Sequence, residues 1–284
     1  MDGEAAALAG FTVGVTAAWR HEELTLLLER RGARVVHAPA IRPTLLTDDP
    51  EPRPPDAEVI EIPVYGWTRV EDATPLRRLV GQAVAGTVDA ITFTSAPAVA
   101  ATLAVAAADG LEGPLLEALR DGVVAACVGP VTARALTGRD VPTVQPEWPW
   151  IGALVRALAV ALPRSRARRL RVRGGLLELR GHAVVLDGLL RPIAPAPMAV
   201  LRALARRPGH VVSRAELCGV LPGRALVDGP VRGRGARPRA DEHAVEMAVA
   251  RLRRGLGRAG IVETVVKRGY RLACDPRAPG AGAA

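Results

Sequence analysis

The chain has 284 residues, 49% hydrophobic and 24% charged, a balance that buries enough apolar surface to fold and excludes global disorder. Its formal net charge of +9 hides a division: residues 1–163 hold 13 basic and 20 acidic side chains, a net −7, and residues 164–284 hold the remaining 25 and 9, a net +16. Halves so opposed point to two domains with different partners, the basic one facing a polyanion, and no charge-free run of roughly 18 apolar residues is present to cross a membrane.

The N-terminal MDGEAAALAG is acidic and lacks the basic start of a secretory signal, so the expected location is the cytoplasm. Cys127, Cys218 and Cys274 stand apart without CxxC or Cys/His spacing. That fits a reducing compartment and leaves no metal site; no cofactor is expected either. Nearly every basic residue is arginine, with Lys267 the one lysine, and alanine is abundant, as in GC-rich coding. The number of arginines is therefore weak evidence, and their positions have to decide.

Phe11 to Val15 is a short apolar, β-branched run, which predicts a strand. Thr16 follows, then Trp19, Leu24, Leu27 and Leu28 at helical spacing up to Gly32, and a second apolar run from Arg34 to Ala38. Strand, helix and strand in that order open a parallel sheet. DAITFTSAPAVAATLAVAA from Asp89 and VVAACVGPVTARALTG from Val123 repeat the passage from strand through a small-residue turn into a helix. Such turns leave helix N–H groups beside a hydroxyl, Thr94 and Ser95 in one and Thr132 in the other. They hold a carboxylate or phosphate, or simply cap the helix. His21 and His37 read as lone surface or core histidines. A phosphorylated receiver domain is disfavoured, because Asp48 and Asp49 lie in a proline-rich loop and no lysine precedes Lys267.

EIPVYGW (Glu61 to Trp67), DAITFTSAPAV (Asp89 to Val99) and CVGPVTARAL (Cys127 to Leu136) closely resemble uroporphyrinogen-III synthase, over roughly residues 8 to 162. The resemblance implies two α/β lobes joined by a two-stranded linker, with a linear tetrapyrrole bound and cyclised between them. This sequence departs from the pattern. After VVHAPAIR it runs through TLLTDDPEPRPPDAE (Thr44 to Glu58) straight into VIEIPVYGW, where a full member inserts a second lobe of about a hundred residues. A single flavodoxin-like lobe is therefore expected, the second being missing near 44–58. The linker strands around Val35 to Ile41 and Val59 to Trp67 should then close as a long hairpin. Tyr65 sits where the family places a cleft tyrosine, but the opposing wall is gone, so a cyclisation that needs both lobes should be lost. Two readings stay open for the remnant. Tyr65, Thr94, Ser95, Gly129 and Thr132 form a vestigial site for a carboxylated, tetrapyrrole-like ligand, or the lobe is a scaffold for a homodimer or a partner regulator.

PRSRARR (Pro163 to Arg169) marks the charge boundary and reads as a solvated basic linker over 164–170, between a first domain at 1–163 and a second at 171–275. Residues 276–284 read as a disordered tail. LRVRGGLLELRGHAVVLDGLLRPI alternates apolar and polar residues around Gly174-Gly175 and Asp187-Gly188, the pattern of a small antiparallel sheet. Pro197 to Arg206 is a helix with Met198, Val200, Leu201, Leu204 and Ala205 on one face. Ser213 with Glu216 three residues on is a capping box that starts a short helix over Arg214 to Val220. A third helix, Asp241 to Leu256, places Val245, Val249, Leu252 and Leu256 inward, and Ile261 to Val266 and Tyr270 to Ala273 form a hairpin around Lys267-Arg268-Gly269.

ARRPGHVVSRAELC (Ala205 to Cys218), EHAVEMAVARLRRGLG (Glu242 to Gly257) and ETVVKRGYRL (Glu263 to Leu272) resemble the winged helix-turn-helix domain of OmpR/PhoB-type transcription regulators. The resemblance implies that the third helix enters a DNA major groove while the wing sets cations against the backbone or minor groove. His243, Glu246, Met247 and Ala250 would face base edges. Arg251, Arg253 and Arg254 would serve phosphates and bases, with Lys267 and Arg268 at the wing tip and Arg214 on the preceding helix. A helix C-terminus favours cations through its dipole as well, but that does not account for a cationic wing. PGRALVDGPVRGRGARPRAD (Pro222 to Asp241) reads as a long loop adding nonspecific phosphate affinity.

The expected protein is a regulator binding double-stranded DNA, with a degenerate HemD-like domain that senses a ligand, dimerises or contacts a partner. The combination resembles regulators of nitrate and nitrite assimilation genes. The alternative is an enzyme, a uroporphyrinogen-III synthase with an appended DNA-binding domain.

Overall fold

The structure, a computed structural model, describes residues 7–44, 66–222, 238–258 and 260–274, and the chain forms two units, Met1–Arg166 and Ala167–Ala284. The first unit carries β1 (Thr12–Val15), β2 (Arg34–His37), β3 (Ile41–Thr44), β4 (Gly66–Arg69), β5 (Ala90–Phe93), β6 (Val124–Cys127) and β7 (Thr143–Val144). Five of these make a wholly parallel sheet in the order β2-β1-β5-β6-β7, while β3 and β4 pair antiparallel by themselves. Every residue of β1 and β5 is buried, because helices cover both faces of a parallel sheet. Helices α1 (His21–Glu29) and α6 (Ile151–Arg166) pack together, as do α2 (Thr74–Val84), α3 (Ala96–Ala108), α4 (Glu112–Asp121) and α5 (Pro130–Thr137). Ile91, Phe93, Ala125 and Cys127 meet Leu79, Leu103 and Leu115 in one core cluster. Gly14 lets α2 pack close on β1, since a Cβ there would stand 2.6 Å from Leu79 Cδ1 and force that side chain to shift.

Polar groups buried at the centre of the sheet are paired. Asp89 Oδ2 accepts from Thr12 N at 2.8 Å. At the other end of the strands Thr16 Oγ1 donates to Thr92 O at 2.8 Å and Thr92 Oγ1 to Gly14 O at 3.1 Å. These hydroxyls tie β1 to β5 where the strand order reverses.

A single lobe matches the sequence expectation, but the hairpin is shorter. Val35 to His37 belong to the main sheet through parallel pairing with Val13 to Val15, and only Ile41–Thr44 turns back on Gly66–Arg69. The strand breaks because Ala38 and Ala40 bend into the core, both being buried. The remainder of the expected hairpin, Val59 to Tyr65, and the 44–58 stretch beyond Thr44 lie outside the described residues. Trp19 also departs from expectation: α1 starts at His21, and Trp19 lies before it, exposed.

The run 164–170 is not a linker. Helix α6 continues through Pro163 to Arg166, and β8 begins at Arg168. Two causes are visible. Leu158, Ala159 and Leu162 keep the buried stripe of α6 going, and Ser165 Oγ donates to Ala161 O at 3.0 Å, while Arg168 to Val172 find backbone partners in the next strand.

The second unit opens with an antiparallel sheet of β8 (Arg168–Val172), β9 (Gly175–Leu179), β10 (Ala183–Leu186) and β11 (Leu189–Pro192), in the order β11-β10-β9-β8. Helices α7 (Pro195–Arg206), α8 (Arg214–Gly219) and α9 (Pro238–Leu256) follow, then the hairpin β12 (Val262–Val265) and β13 (Gly269–Leu272). Leu201, Leu204, Leu217, Val249, Leu252 and Leu272 share its core. The capping box forms as expected: Ser213 Oγ accepts from Glu216 N at 3.2 Å and Glu216 Oε2 from Ser213 N at 2.9 Å. Sheet, three helices and a hairpin, with α9 packed on α7 and α8, are a winged helix-turn-helix. The described residues end at Cys274, so the expected tail lies outside them, as does most of the 222–241 loop.

Candidate functional site

Helix α9 separates its two faces cleanly. Val245, Ala248, Val249, Leu252 and Leu256 are buried, and His243, Glu246, Met247, Ala250, Arg251 and Arg254 are all exposed on the other side. The wing tip adds Lys267 and Arg268, also exposed, in a turn closed by Arg268 N donating to Val265 O at 3.0 Å. Lys267 has φ 61°, the left-handed region where a side chain costs roughly 1–2 kcal/mol. The side chains of Arg251, Arg254, Lys267 and Arg268 make no hydrogen bond or ion pair among the described residues. Four cations are thus left for an external anion on two neighbouring elements.

Two other expected contact residues are engaged inside the unit. Arg253 Nε donates to Val262 O at 3.0 Å and Nη2 to Thr264 Oγ1 at 2.7 Å, fastening α9 to β12. Arg214 stands 3.9 Å from Glu246. Both guanidinium groups lie over the buried Tyr270 ring, Arg214 at 5.6 Å and Arg253 at 5.9 Å from its centroid. Tyr270 is itself fixed by a backbone bridge to Val212, ahead of α8. At Gly269, with φ 135°, a Cβ would collide with the Val212 carbonyl oxygen, so the wing can approach this closely only with glycine there.

In the acidic unit a cavity of about 670 Å³ opens at the carboxyl ends of β1 and β5. Of the expected vestigial residues, Thr94 and Ser95 line it; Ser95 Oγ also caps α3, accepting from Ala98 N at 3.4 Å. Gly129 and Thr132 are buried at the start of α5 and are not among the lining residues, and Tyr65 lies outside the described residues. The lining is instead dominated by groups that sequence patterns did not single out: Trp19, Trp67 and Trp150, with Arg20 and Glu23 paired at 2.5 Å.

The two histidines taken as lone residues meet. Their rings stack at 4.1 Å with 5° between planes, His21 Nδ1 donating to Ala18 O at 3.0 Å and His37 Nε2 to Ala17 O at 2.9 Å. They hold the loop that carries Trp19. Among the described residues no group of three or more His, Cys, Asp or Glu side chains is placed to hold a metal ion, and no helix is long and apolar enough to cross a membrane.

The family model of uroporphyrinogen-III synthase HemD matches residues 53–156. That segment is similar to HemD, and the similarity stops short of the second unit. A Methanothermobacter thermautotrophicus protein named for uroporphyrinogen-III synthase activity is 35% identical over 106 residues, 37% of this chain and 41% of its own. The chain therefore spans about two fifths of the length of that curated relative. Among solved structures, uroporphyrinogen III synthase of Thermus thermophilus is 17% identical, over 54% of this chain and 98% of that one, with a TM-score of 0.41. The RstA DNA-binding domain of Klebsiella pneumoniae, crystallised with its RstA box, is 24% identical over 37% of this chain and 97% of its own, with a TM-score of 0.28. The chain thus joins an α/β domain, whose residues 53–156 match the HemD model, to a winged helix-turn-helix.

Proposed function

We propose that this protein is a cytoplasmic DNA-binding transcription regulator, in which α9 reads the major groove and the β12–β13 wing holds the adjacent backbone or minor groove. The observation carrying the proposal is the set of exposed cations Arg251, Arg254, Lys267 and Arg268, without partners among the described residues and placed on the two elements that a winged helix presents to a duplex. Their joint placement, with His243, Glu246, Met247 and Ala250 on the same open face, suits direct base readout better than charge alone. The HemD-type domain then senses a ligand, dimerises or contacts a partner regulator, and nitrate and nitrite assimilation genes are the regulon that the family likeness suggests. Mapping bound DNA across the genome tests this: discrete sites are expected at physiological salt, and their absence would overturn the regulator.

The synthase alternative draws on the HemD match. Against it, the described part of the acidic unit holds one parallel sheet, with no second lobe to enclose a substrate. Conversion of hydroxymethylbilane to uroporphyrinogen III by the purified chain would restore it. Of the residues expected to hold a carboxylated, tetrapyrrole-like ligand, Thr94 and Ser95 line the cavity, and Ser95 Oγ is already used to cap α3.

A further inference from the structure

All four tryptophans of the chain lie in the acidic unit, and none is buried: Trp19 is 67% exposed, Trp67 36%, Trp148 63% and Trp150 67%. The two phenylalanines of the same unit, Phe11 and Phe93, are in its core at 0% and 1%. An indole is among the side chains that gain most from burial, so Trp19 and Trp150, each two-thirds exposed at one cavity, mark a surface made to be covered.

The cavity sits at the carboxyl ends of β1 and β5, where the chain leaves β1 towards β2 on one side and β5 on the other. That reversal is where an open α/β sheet offers a crevice to a ligand. A volume of about 670 Å³ is ample for a small molecule of two or three fused rings. One wall is already built. The stacked His21 and His37 each donate to a carbonyl of the loop before α1, so Trp19 is held on an ordered segment before any ligand arrives.

Charge narrows the ligand. Among the described lining residues Arg20 is the one cation and Glu23 the one anion, and they pair with one another, while Thr16 Oγ1 is committed to Thr92 O. Among the described lining residues no unpaired cation answers the several negative charges of a polycarboxylate; the helix starts at Ala96 and Ile151 offer only partial positive charge, and residues 1–163 carry a net −7. A flat ring system of low charge, in contrast, covers indole surface and leaves no charge stranded.

We infer that this cavity binds a planar fused-ring heteroaromatic ligand of two or three rings and low net charge, stacked against Trp19, Trp67 and Trp150. The inference rests on the sensing role proposed for the acidic domain and gives it a ligand class that differs from a carboxylated tetrapyrrole.

The test is a titration of the full chain, free of DNA, with lumiflavin as the uncharged tricyclic probe and uroporphyrin as the polycarboxylate, followed by tryptophan quenching and calorimetry. Saturable lumiflavin binding is expected, weakened about tenfold by Trp19→Ala and by Trp150→Ala, as removal of a stacking platform does, and changed less than about twofold by Trp148→Ala, which is outside the lining. Trp19→Phe, which keeps a ring, should fall between wild type and Trp19→Ala. No saturation up to about 1 mM lumiflavin, a limit set by weak small-molecule affinity, or equal binding by all variants, overturns the inference. So does tighter binding of uroporphyrin than of lumiflavin. Because the readout involves no DNA, lumiflavin binding without discrete genomic sites would sink only the regulator, and discrete sites without lumiflavin binding only the ligand class.

Discussion

Arg253 reaches from helix α9 to strand β12, its Nη2 2.7 Å from Thr264 Oγ1 and its Nε 3.0 Å from the Val262 carbonyl. The residue therefore joins the two elements proposed to face DNA, whereas its neighbour Arg254 is exposed and has no partner among the described residues. Arg253→Ala should cost about 1 kcal/mol of stability, the net value of hydrogen bonds of this kind at a half-buried site. Amide exchange at Thr264 to Val266 should speed up without DNA present. On DNA, Arg254→Ala should reduce the slope of log affinity against log salt by about one, as loss of a phosphate contact does. Arg253→Ala should lower affinity with a smaller change of slope. Unchanged wing exchange in Arg253→Ala would refute the clamp.

Lys267 holds a backbone conformation that favours glycine, at the exposed tip of a wing whose close approach to Val212 already depends on Gly269. Lys267→Gly should raise the midpoint of unfolding by relieving a strain of about 1 kcal/mol, yet weaken DNA binding. Gly269→Ala should be destabilising, because the added Cβ meets a backbone oxygen that cannot move aside. A Lys267→Gly protein that is both more stable and equally tight on DNA would remove the wing-tip lysine from the interface.

Much of this was readable in the sequence because it is local. Apolar residues three or four apart gave the buried stripe of α9, and its complement, His243 to Arg254, proved to be the open face. Ser213 and Glu216 are three residues apart and capped α8 as their spacing implied. The failures are pairings between distant positions. His21 and His37 stack because α1 and β2 are brought together, and Trp19, Trp67 and Trp150 share a cavity only after the sheet has assembled. Helical spacing drew Trp19 into a stripe it does not join, since α1 starts two residues later. Basic composition suggested a linker at 164–170, but burial on α6 and pairing to β9 outweighed it. Arg253 and Arg214 share the chemistry of their exposed neighbours, and what distinguishes them, Tyr270 beneath both, Val262 and Thr264 beside one and Glu246 beside the other, comes together only in the fold.

Glu178 is a carboxylate buried on β9 and held by Arg169 Nε and Arg180 Nε, each at 2.8 Å. Burial by itself would raise its pKa, but the hydrogen bonds and charges of the two arginines outweigh that and hold it below the ordinary glutamate value. A folded-state pKa below the unfolded one stabilises the fold at pH above the ordinary value, roughly 4.3, and that stabilisation is lost as pH falls through the folded value. Urea midpoints for the second unit should therefore decline as pH drops below this range. Glu178→Gln should be less stable than the parent at pH 7, with the two curves converging in acid. Parallel curves would mean that Glu178 does not carry the acid sensitivity.

Cys127 offers a probe of the acidic domain from within. It is fully buried at the end of β6, packed in the core cluster with Phe93 and Leu103, and burial pushes its thiol up to about 12. Thiolate is the reactive form, so the native side chain is protected both by access and by protonation. Cys218 and Cys274 are half-buried in the other unit. In a protein carrying Cys218→Ser and Cys274→Ser, an aromatic disulfide reagent at pH 8 should find no rapidly reacting thiol. Modification should instead follow the opening of the HemD-type domain, accelerating with urea in step with the loss of its helical signal. A ligand that fills the tryptophan-lined cavity and binds only the folded domain should slow that reaction in proportion to its occupancy. Fast modification of Cys127 under native conditions would show that the sheet is far less closed than its packing implies.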